Sequence, residues 1–341
     1  MEHNSEKEKL KEQEIELKES SADEAGESKI EIVPELPDGY ELIEKLGEGG
    51  MGRVYRVRDL SLDKEFAIKI LQQDLSKDAS ALKRFNQEID AAAALSHANL
   101  ISIYKHGTTD NGEPYLVMDY LEGPSLAELI EKGTDFAGNA DRLLDIFIQI
   151  CEALAHAHEN GVIHRDIKPS NIIITKAADG KDLVKIVDFG IARVCSKTGV
   201  VCPTTSNMLK ALCKTSAGLT DEQKDELQRL TQPGEIFGSP LYMSPEQCQG
   251  EEADCRSEVY SLGCMMFEAL TGKPPLKGSN AMDTLILRIN EDAPLINTVD
   301  PELRFPEALE KVVAKALARY PDQRYQEVHE LTAALEEAMA S

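Results

Sequence analysis

The chain has 341 residues, and its 61 acidic and 37 basic side chains give a formal net charge of −24 at pH 7. A charge of that sign repels nucleic acid and anionic membranes, so neither is expected as a partner. The apolar fraction of 42% is ordinary for a soluble globular protein and excludes a chain that is disordered throughout.

The cysteines and the N-terminus bear on the cellular compartment. The 7 cysteines are scattered without a CxxC pair, which favours reduced thiols over a disulfide framework and gives a zinc site no support. No apolar run approaches the ~20 residues that cross a bilayer, and the first residues, MEHNSEKEKLKEQ, lack the apolar core of a secretory signal. A cytoplasmic chain without a membrane segment is therefore expected.

In chain order, the predicted elements divide into a polar tail, a β-rich part and a helical part. Residues 1–38 are rich in Glu, Lys and Ser and predict an acidic, mostly disordered tail. From Tyr40 the strand-like runs are YELIEKLGEGGMGRVYRVRD, EFAIKIL, LISIYKHG and PYLVMDYL, and RFNQEIDAAAAL among them predicts a helix. After Gly123-Pro124 the pattern is mainly helical. This order predicts an α+β fold of two lobes with a cleft between them.

The first predicted strand pair encloses a glycine motif, Gly47-Glu48-Gly49-Gly50-Met51-Gly52. In dinucleotide-binding units a helix follows such glycines, whereas here the alternating VYRVRD predicts a strand. A glycine hairpin between two strands can fold its backbone N–H groups over a triphosphate without side-chain obstruction. A mere tight turn would also explain the glycines, so the motifs that follow must decide.

A lysine and a glutamate come next. Lys69 lies between Ile68 and Ile70 on a predicted strand, and Glu88 follows on the predicted helix. A lone lysine on a strand is by default a solvated side chain. A carboxylate partner, however, would keep the charge and the direction of Lys69 for holding phosphate oxygens.

The stretch HRDIKPSN, residues 164–171, crowds polar chemistry between the apolar runs 161–163 and 172–174. A solvated loop does not need such flanks, whereas a reaction centre held on a rigid scaffold does. Val187-Asp188-Phe189-Gly190 follows. Either motif alone could be an ordinary polar turn after a strand, but the two together, behind the glycine motif and the lysine, are too specific for that explanation.

With these motifs the chain resembles a protein kinase of the bacterial, eukaryotic-like serine/threonine type, over roughly residues 40–335. The resemblance implies a bilobal domain over 39–336, with a small antiparallel β lobe that carries one main helix and a larger, mainly helical lobe. The N-lobe with its hinge would span 39–121 and the C-lobe 122–336. The implied activity is ATP-dependent phosphorylation of serine or threonine hydroxyls on proteins in a signalling role. The implied cofactors are ATP and Mg²⁺, with Mn²⁺ as a substitute.

Catalytic and metal-binding roles follow from the same resemblance. The implied catalytic residues are Asp166, Lys168, Lys69 and Glu88. Asp166 would accept or orient the proton of the attacking hydroxyl, and Lys168 would steady the γ-phosphate as charge moves. Asn171 and Asp188 would hold magnesium, which prefers few protein carboxylates together with phosphate oxygens.

The nucleotide would lie between the lobes. The hinge is expected at Asp119-Tyr120-Leu121, with Met118 before it limiting the adenine pocket. The residues expected to contact ATP are Leu46, Gly47, Gly49, Gly52, Val54, Ala67, Lys69, Met118, Asp119, Leu121 and Ile173. Plain core packing also explains the apolar members, because such a pocket is part of the core.

Further matches concern the scaffold and the substrate side. Ser239 lies in Gly238-Ser239-Pro240, which resembles the substrate-facing loop of serine/threonine kinases. Glu246 closes the activation segment, and Arg324 lies where its ion-pair partner is expected. In the kinase pattern His164-Arg165-Asp166 is the catalytic loop. Glu258 departs from the family, which usually has a shorter aspartate that hydrogen-bonds the backbone of this loop. A displacement of about 1 Å can cost ~100-fold in rate, so compensation by neighbours is expected.

The activation segment, residues 188–246, is longer than the family usually needs, with an insertion at about 195–234. The insertion has its own helix signals, including a capping box from Thr220 to Gln223. A tolerated surface insertion and a regulatory arm over the substrate cleft explain it equally well.

Autophosphorylation in this segment is the expected switch. A phosphate adds roughly −1.5 to −2 charge, and Arg165, beside the catalytic aspartate, is expected to bind it. The candidate sites are Thr204, Thr205, Thr215, Ser216, Thr220 and Thr231. Cys195, Cys202 and Cys213 are expected to be ordinary thiols, with a Cys195–Cys202 redox latch as the less favoured alternative.

Two other function classes compete with a kinase. A pseudokinase that binds nucleotide as a scaffold or allosteric sensor is the main alternative, although such proteins typically lack the strand lysine or one of the two aspartates, and all three are present here. A small-molecule phosphotransferase is disfavoured by GSPLYMSPEQ, which resembles a peptide platform. Protein substrates are therefore the expected partners, and two copies could pair through the N-lobe. Ser125 and Ser170 support no preference for basic substrates.

Overall fold

The structure, a computed structural model, describes residues 36–49, 52–71, 79–133, 136, 139–189, 240–300 and 302–340. The described residues from Pro37 onward belong to one compact unit. Within the described ranges, no helix has the length and apolar character needed to cross a membrane.

The first part of this unit is a five-stranded antiparallel sheet in the order β1-β2-β3-β5-β4. The strands are β1 (Tyr40–Gly49), β2 (Gly52–Asp59), β3 (Lys64–Leu71), β4 (Ile103–Thr108) and β5 (Pro114–Asp119). The paired strands β3 and β5 are buried along most of their length, whereas the edge strand β1 is mostly exposed. Side chains on β3 and β5 are therefore held most firmly.

One helix, α1 (Ala79–Ala93), accompanies the sheet. Its Phe85 and Ile89 lie one turn apart and are buried in the same apolar cluster as Leu71 of β3 and Leu116 of β5. This apolar face fixes α1 against the sheet and leaves Glu88, the neighbour of Ile89, at the edge of the cleft.

The second part is mainly helical. Its helices are α2 (Leu126–Glu131), α3 (Ala140–Glu159), α4 (Pro245–Cys248), α5 (Cys255–Thr271), α6 (Ala281–Asn290), α7 (Glu307–Ala316) and α8 (Val328–Met339). Helix α5 is buried along nearly its whole length. Asp254 caps its N-terminus in a capping box with Ser257, and Gly272, with φ 71°, ends it in the left-handed region that glycine adopts most readily.

A short hairpin lies between these helices, formed by β6 (Ile172–Lys176) and β7 (Asp182–Ile186). Ile172 pairs with Ile186 at one end of the hairpin, and both are fully buried. The chain before β6 and the chain after β7 therefore emerge side by side. This pairing brings residues 164–171 next to residues 187–189.

The architecture confirms the expected α+β fold, with a β-rich part followed by a mainly helical part. Several expectations fall outside the described residues. They concern the tail up to residue 35, Gly50, Met51, the insertion at 195–234 with its cysteines and phosphorylation candidates, and Ser239.

Candidate active site

The polar stretch 164–171 is anchored by its apolar members. Ile167 and the following Ile172 are buried, which holds the intervening polar groups at the surface of the larger lobe. Arg165 has a φ of 66°, an unusual value for a residue with a side chain. Its backbone N–H donates to Glu258 Oε1 at 2.6 Å, and its carbonyl accepts from Gln247 Nε2 at 3.3 Å. Those two bonds hold the strained turn in place.

His164 joins this loop to the segment after β7. Its side chain is fully buried, and its Nδ1 accepts a hydrogen bond from the Asp166 backbone N–H at 3.3 Å. The other ring nitrogen, Nε2, lies 3.0 Å from the Val187 carbonyl. Because Nδ1 accepts, Nε2 carries the proton that it donates to the Val187 carbonyl. The imidazole thus ties Asp166 to the neighbouring loop.

Asp166, Lys168 and Asn171 converge in front of the hairpin. Lys168 Nζ lies 2.7 Å from Asp166 Oδ2, and Asn171 Nδ2 donates to the Asp166 carbonyl at 2.9 Å. The Val187 N–H donates to the Asn171 carbonyl at 2.9 Å. The side chain of Asn171 is thereby oriented with its amide nitrogen toward the loop, which leaves its Oδ1 as the oxygen available to a cation.

Asp188 lies beside this group and also has a left-handed backbone, with a φ of 60°. Its Oδ1 is 2.6 Å from Lys69 Nζ on β3. Lys69 is buried, with 8% of its surface exposed. The two lobes are therefore linked at this point by an ion pair between a buried ammonium and a partly exposed carboxylate.

The partner of Lys69 differs from the expectation. Lys69 was expected to contact Glu88, but Glu88 instead accepts hydrogen bonds from Arg165 Nη1 at 3.2 and 3.3 Å. The left-handed turn at Asp188 directs its carboxylate at Lys69, and α1 holds Glu88 over the catalytic loop. Sequence spacing could not distinguish these pairings, because both carboxylates lie on segments that reach the same cleft.

A cavity of about 230 Å³ adjoins the Glu88–Arg165 pair. Its walls are Glu88, Ala91, Ala92, Gly161, Val162, Ile163, Arg165 and Phe189. Phe189 is buried and its ring lies 4.7 Å from the His164 ring. The cavity thus lies between α1 and Phe189.

The buried carboxylate of Glu258 on α5 makes two contacts. Oε1 accepts from the Arg165 N–H, and Oε2 lies 2.6 Å from His158 Nε2 on α3. Burial alone would raise the pKa of Glu258, but the hydrogen bond and charge of His158, together with the hydrogen bond from the Arg165 N–H, lower it. The longer side chain thus gains a contact with His158, and compensation for its extra length stays a prediction.

An apolar cluster lines the cleft between β3 and the catalytic loop. Ala67, Ile101 and Met118 form its buried part, and Val54, Leu121 and Val187 pack against it. Four of the residues expected at the adenine pocket are thus brought together, whereas Ile101 and Val187 were missed. Leu46 is 43% exposed, and Ile173 is half-buried and pairs with Ser125. Neither of those two belongs to the cluster.

The segment after β5 is held by side chains from the sheet. Tyr104 donates its hydroxyl to Asp119 Oδ1 at 2.6 Å, and the Asp119 N–H donates to Ser102 O at 3.2 Å. The guanidinium of Arg56 lies 4.3 Å from the Tyr120 ring centre. Gly123 follows with a φ of +150°, and a Cβ there would come within 2.2 Å of Ile174 O. Only glycine fits where this connection crosses β6.

The glycines of β1 and β2 fall into two kinds. Gly52 has a φ of +149°, and a Cβ on it would lie 2.2 Å from Ile70 O, so packing against β3 requires glycine. A Cβ on Gly47 or Gly49 would meet no described atom within 4 Å. Packing within the described chain therefore gives no reason for glycine at those two positions.

Residues 240–244, named here the platform, precede α4 and are held by the larger lobe. Glu246, just beyond the platform, forms a bidentate ion pair with Arg324 at 2.7 and 2.9 Å and accepts from Ser257 Oγ at 2.6 Å. The structure thus contains the expected pair, fully buried on the arginine side. Although burial alone would raise the pKa of Glu246, Arg324 and Ser257 hold it below its ordinary value.

Sequence reasoning missed two residues of the site. His158 contacts Glu258, and Arg288 contacts the platform. His158 lies six positions before His164 at the end of α3, where a single histidine carries no distinctive signal. Arg288 carried a usable signal, because it follows Thr284 and Leu285 by one turn of α6, and both of those residues are buried. That spacing puts an arginine on the inward face of a helix, an arrangement that needs an explanation.

Comparison with known proteins supplies the family context. The sequence profile of the protein kinase domain matches residues 40–336. The serine/threonine-protein kinase PknB of Mycolicibacterium smegmatis is 39% identical over 306 residues, and the protein of the same name from Mycobacterium tuberculosis is 36% identical. Each alignment covers 88% of this chain and 43% of the relative. The chain thus spans less than half the length of these relatives.

Solved structures show the same fold. One crystal structure of the Mycobacterium tuberculosis PknI kinase domain superposes with a TM-score of 0.63 at 22% identity, covering 91% of this chain and all of that domain. A second crystal structure of the same domain gives a TM-score of 0.62 at 23% identity, covering 90% of this chain and 99% of that domain. This likeness confirms the expected bilobal arrangement of a β lobe and a helical lobe.

Proposed function

The chain belongs to the protein kinase family, and we propose that it transfers the γ-phosphoryl group of MgATP to serine or threonine hydroxyls of proteins. One observation carries the proposal. Lys69, Asp166, Asn171 and Asp188 converge at one edge of the apolar cluster between the lobes. An apolar surface beside a cation, two carboxylates and an amide oxygen suits the adenine and the metal-bound triphosphate of ATP.

Asp166 would orient the attacking hydroxyl. Its carboxylate is held by Lys168 at 2.7 Å and its backbone by His164 and Asn171, so it is preorganised before a substrate arrives. Lys168 is positioned to balance charge that moves onto the γ-phosphoryl oxygens. Fixed charges of this kind supply most of the rate enhancement in phosphoryl transfer.

The residues present fit a magnesium site. Asn171 Oδ1 and the Asp188 carboxylate are hard oxygen donors on adjacent loops, and Mg²⁺ is commonly held by one or two such groups together with phosphate oxygens. When bound, the ion would supply positive charge that neutralises part of the charge on the phosphate oxygens. Mn²⁺ accepts the same donors. A Cβ on Gly47 or Gly49 would meet no atom of the described residues within 4 Å, which supports a role for those glycines above the phosphates.

The preference for serine and threonine rests on two supports. Lys168, two residues after Asp166, is typical of serine/threonine kinases, and relatives of 36–39% identity are named serine/threonine-protein kinases. Protein substrates, rather than small molecules, fit the platform before Glu246. A signalling role, a cytoplasmic location and pairing through the N-lobe stay predictions.

The two ion pairs of the cleft support control by autophosphorylation. Glu88 is bonded to Arg165, and Lys69 to Asp188. A phosphate on the activation segment would compete for Arg165, since a dianion binds a guanidinium more strongly than a carboxylate does. Glu88 would then be released toward Lys69, which is the partner expected from the sequence. The switch would thus be an exchange of partners among charged groups.

The test is intact-mass spectrometry of the purified chain after incubation with MgATP, beside the Asp166→Asn variant. Phosphates are expected on the parent and not on the variant, and fragment masses would assign them to serine or threonine. An added pool of serine, threonine and tyrosine peptides covers acceptors in trans. If the parent binds MgATP yet phosphorylates neither itself nor any peptide, the proposal is wrong and the pseudokinase alternative is favoured.

A further inference from the structure

Arg288 on α6 is a buried arginine directly beneath the platform. Its exposed surface is 0%, and an arginine side chain keeps its charge in proteins. Among the described residues, no carboxylate forms an ion pair with it. Nη1 donates to the Met243 carbonyl at 3.3 Å, to Tyr260 OH at 3.2 Å and to Cys264 Sγ at 3.1 Å, and Nη2 donates to the Leu241 carbonyl.

These bonds leave each inner carbonyl of the platform with a side-chain donor. Arg288 holds Leu241 O and Met243 O, and Ser261 Oγ on α5 donates to Tyr242 O at 2.7 Å. The Tyr242 hydroxyl in turn donates to Glu268 on α5. Three consecutive peptide groups are therefore fixed from below, two of them by one guanidinium.

A buried guanidinium that forms no direct ion pair with a described carboxylate is an unfavourable way to fill a core. Apolar residues of similar volume can replace buried charged groups without loss of stability, and often with a gain. The neighbours Tyr260 and Cys264 could pack against an apolar side chain equally well. What an apolar side chain could not do is bond two carbonyls of one loop at fixed separation. The reason for arginine therefore lies in the conformation of the platform.

We propose that Arg288 is a positioning residue for the polypeptide substrate, which sets the shape of the platform on which the acceptor peptide lies. The proposal rests on the proposed function, since it assigns the platform to substrate binding. Arg288 does not line the apolar cluster or contact Asp166, Lys69 or Asp188. Its loss should therefore weaken use of the peptide while leaving nucleotide binding unchanged.

The experiment compares the parent with Arg288→Met, which keeps an unbranched apolar side chain but removes the guanidinium, and with Arg288→Lys, which keeps the charge but replaces the planar fork of donors with a compact ammonium. We expect Arg288→Met to lower kcat/KM for a degenerate serine/threonine peptide pool by about 10- to 100-fold, the cost of a displacement near 1 Å. The KM for ATP and the ATP turnover without peptide should stay within about twofold of the parent, because the substitution affects binding of the peptide and not the phosphoryl-transfer step. Arg288→Lys should give an intermediate value.

Arg319→Met is the matched control. Arg319 bonds the Asn290 carbonyl at the end of the same helix and lies 3.5 Å from Asp292, away from the platform. It should leave kcat/KM for the peptide pool unchanged. An equal loss in both variants would mean that α6 is merely destabilised, and would overturn the assignment. So would a parallel loss of ATP turnover in Arg288→Met.

Amide hydrogen exchange gives a readout that does not need activity. In Arg288→Met the amides of residues 241–243 should exchange faster, while those of α3 keep their protection. Unchanged exchange at 241–243 would overturn the proposal whatever the kinetics. If the parent phosphorylates no peptide, the proposed function fails, and the exchange data still decide whether Arg288 holds the platform.

Discussion

At the scale of single residues, Glu258 shows how one side chain can serve two elements. Its carboxylate bonds the Arg165 N–H with one oxygen and His158 with the other, both at 2.6 Å. The first contact supports a strained turn beside Asp166, and the second ties that turn to α3. The extra methylene of glutamate is what allows the carboxylate to reach both.

Shortening this side chain should therefore impair catalysis. In Glu258→Asp the carboxylate cannot keep both contacts, so the turn at Arg165 shifts and we expect kcat to fall about 10- to 100-fold, with KM for ATP unchanged. Steady-state kinetics against the parent provide the measurement. Glu310→Asp, on α7 and bonded to the Asn297 N–H, is the control and should behave like the parent. A large rise in activity in Glu258→Asp would contradict the structural explanation.

Residue identities at the centre of the site could be predicted from sequence because they come in short, ordered motifs. Asp166, Lys168 and Asn171 lie within eight positions, so their proximity is local. The pairing of Lys69 could not be predicted, because it depends on where α1 and the turn at Asp188 lie in space. His158 acts through a contact between distant segments, for which a single sequence carries little signal, whereas the helical spacing around Arg288 did carry one.

At the scale of elements, α1 is the part whose position decides the ion pairs of the cleft. Its apolar face is buried in the core through Phe85 and Ile89, while its carboxylate, Glu88, bonds Arg165 at the edge of a cavity of about 230 Å³. The cavity leaves room on the side of α1 that faces the catalytic loop. A change of partner for Glu88 thus requires a shift of one helix and no change of fold.

Removing Arg165 should uncouple this helix from phosphorylation. In Arg165→Ala, Glu88 loses its partner and a phosphate on the activation segment loses its binding site. Hydrogen bonds to charged groups contribute about 1.5–3 kcal/mol, so the activation ratio should fall by about tenfold or more. The ratio is measured as kcat after and before incubation with MgATP. Arg142→Ala, which breaks the pair with Asp182, is the control, and a parent-like ratio in Arg165→Ala would refute the switch.

Element types were predictable where periodicity was long and apolar. The strands of the first part and helix α1 lie where the alternation and the helical spacing put them. The hairpin of β6 and β7 is less evident from sequence, because strands of five residues carry a short pattern. The hairpin matters because the pairing of Ile172 with Ile186 brings residues 164–171 next to residues 187–189.

At the scale of the whole molecule, the pair of Glu246 and Arg324 joins the end of the activation segment to a turn 78 residues later. The pKa of Glu246 is lower in the folded state than its ordinary value of 4.5. The folded protein therefore binds this proton more weakly than the unfolded chain. The stability that the pair contributes is complete above about pH 4.5 and is lost as pH falls through the lower, folded-state pKa.

Glu246→Gln should expose this dependence. At pH 7 the variant leaves a buried guanidinium without its partner, and we expect a loss of about 3–5 kcal/mol in the free energy of unfolding. Below about pH 4.5 the gap should narrow, because the parent then protonates Glu246 and comes to resemble the variant. Urea unfolding from about pH 7 to about pH 3.5 measures it. Glu307→Gln, in an exposed pair with Lys311, should show no difference, and a gap independent of pH would contradict the assignment.

The glycines around the cleft should differ in which substitutions they tolerate. A Cβ on Gly52 or on Gly123 would lie 2.2 Å from a carbonyl oxygen, on the strand side and on the hinge side respectively, whereas a Cβ on Gly47 or Gly49 would meet no described atom within 4 Å. Among random variants sorted by abundance, changes at Gly52 and Gly123 would disappear with the unfolded molecules. Changes at Gly47 and Gly49 would survive that selection and be lost only when the survivors are sorted by phosphate transfer. One short motif thus contains a glycine that folding demands beside two glycines that, on the proposed function, only the nucleotide would demand.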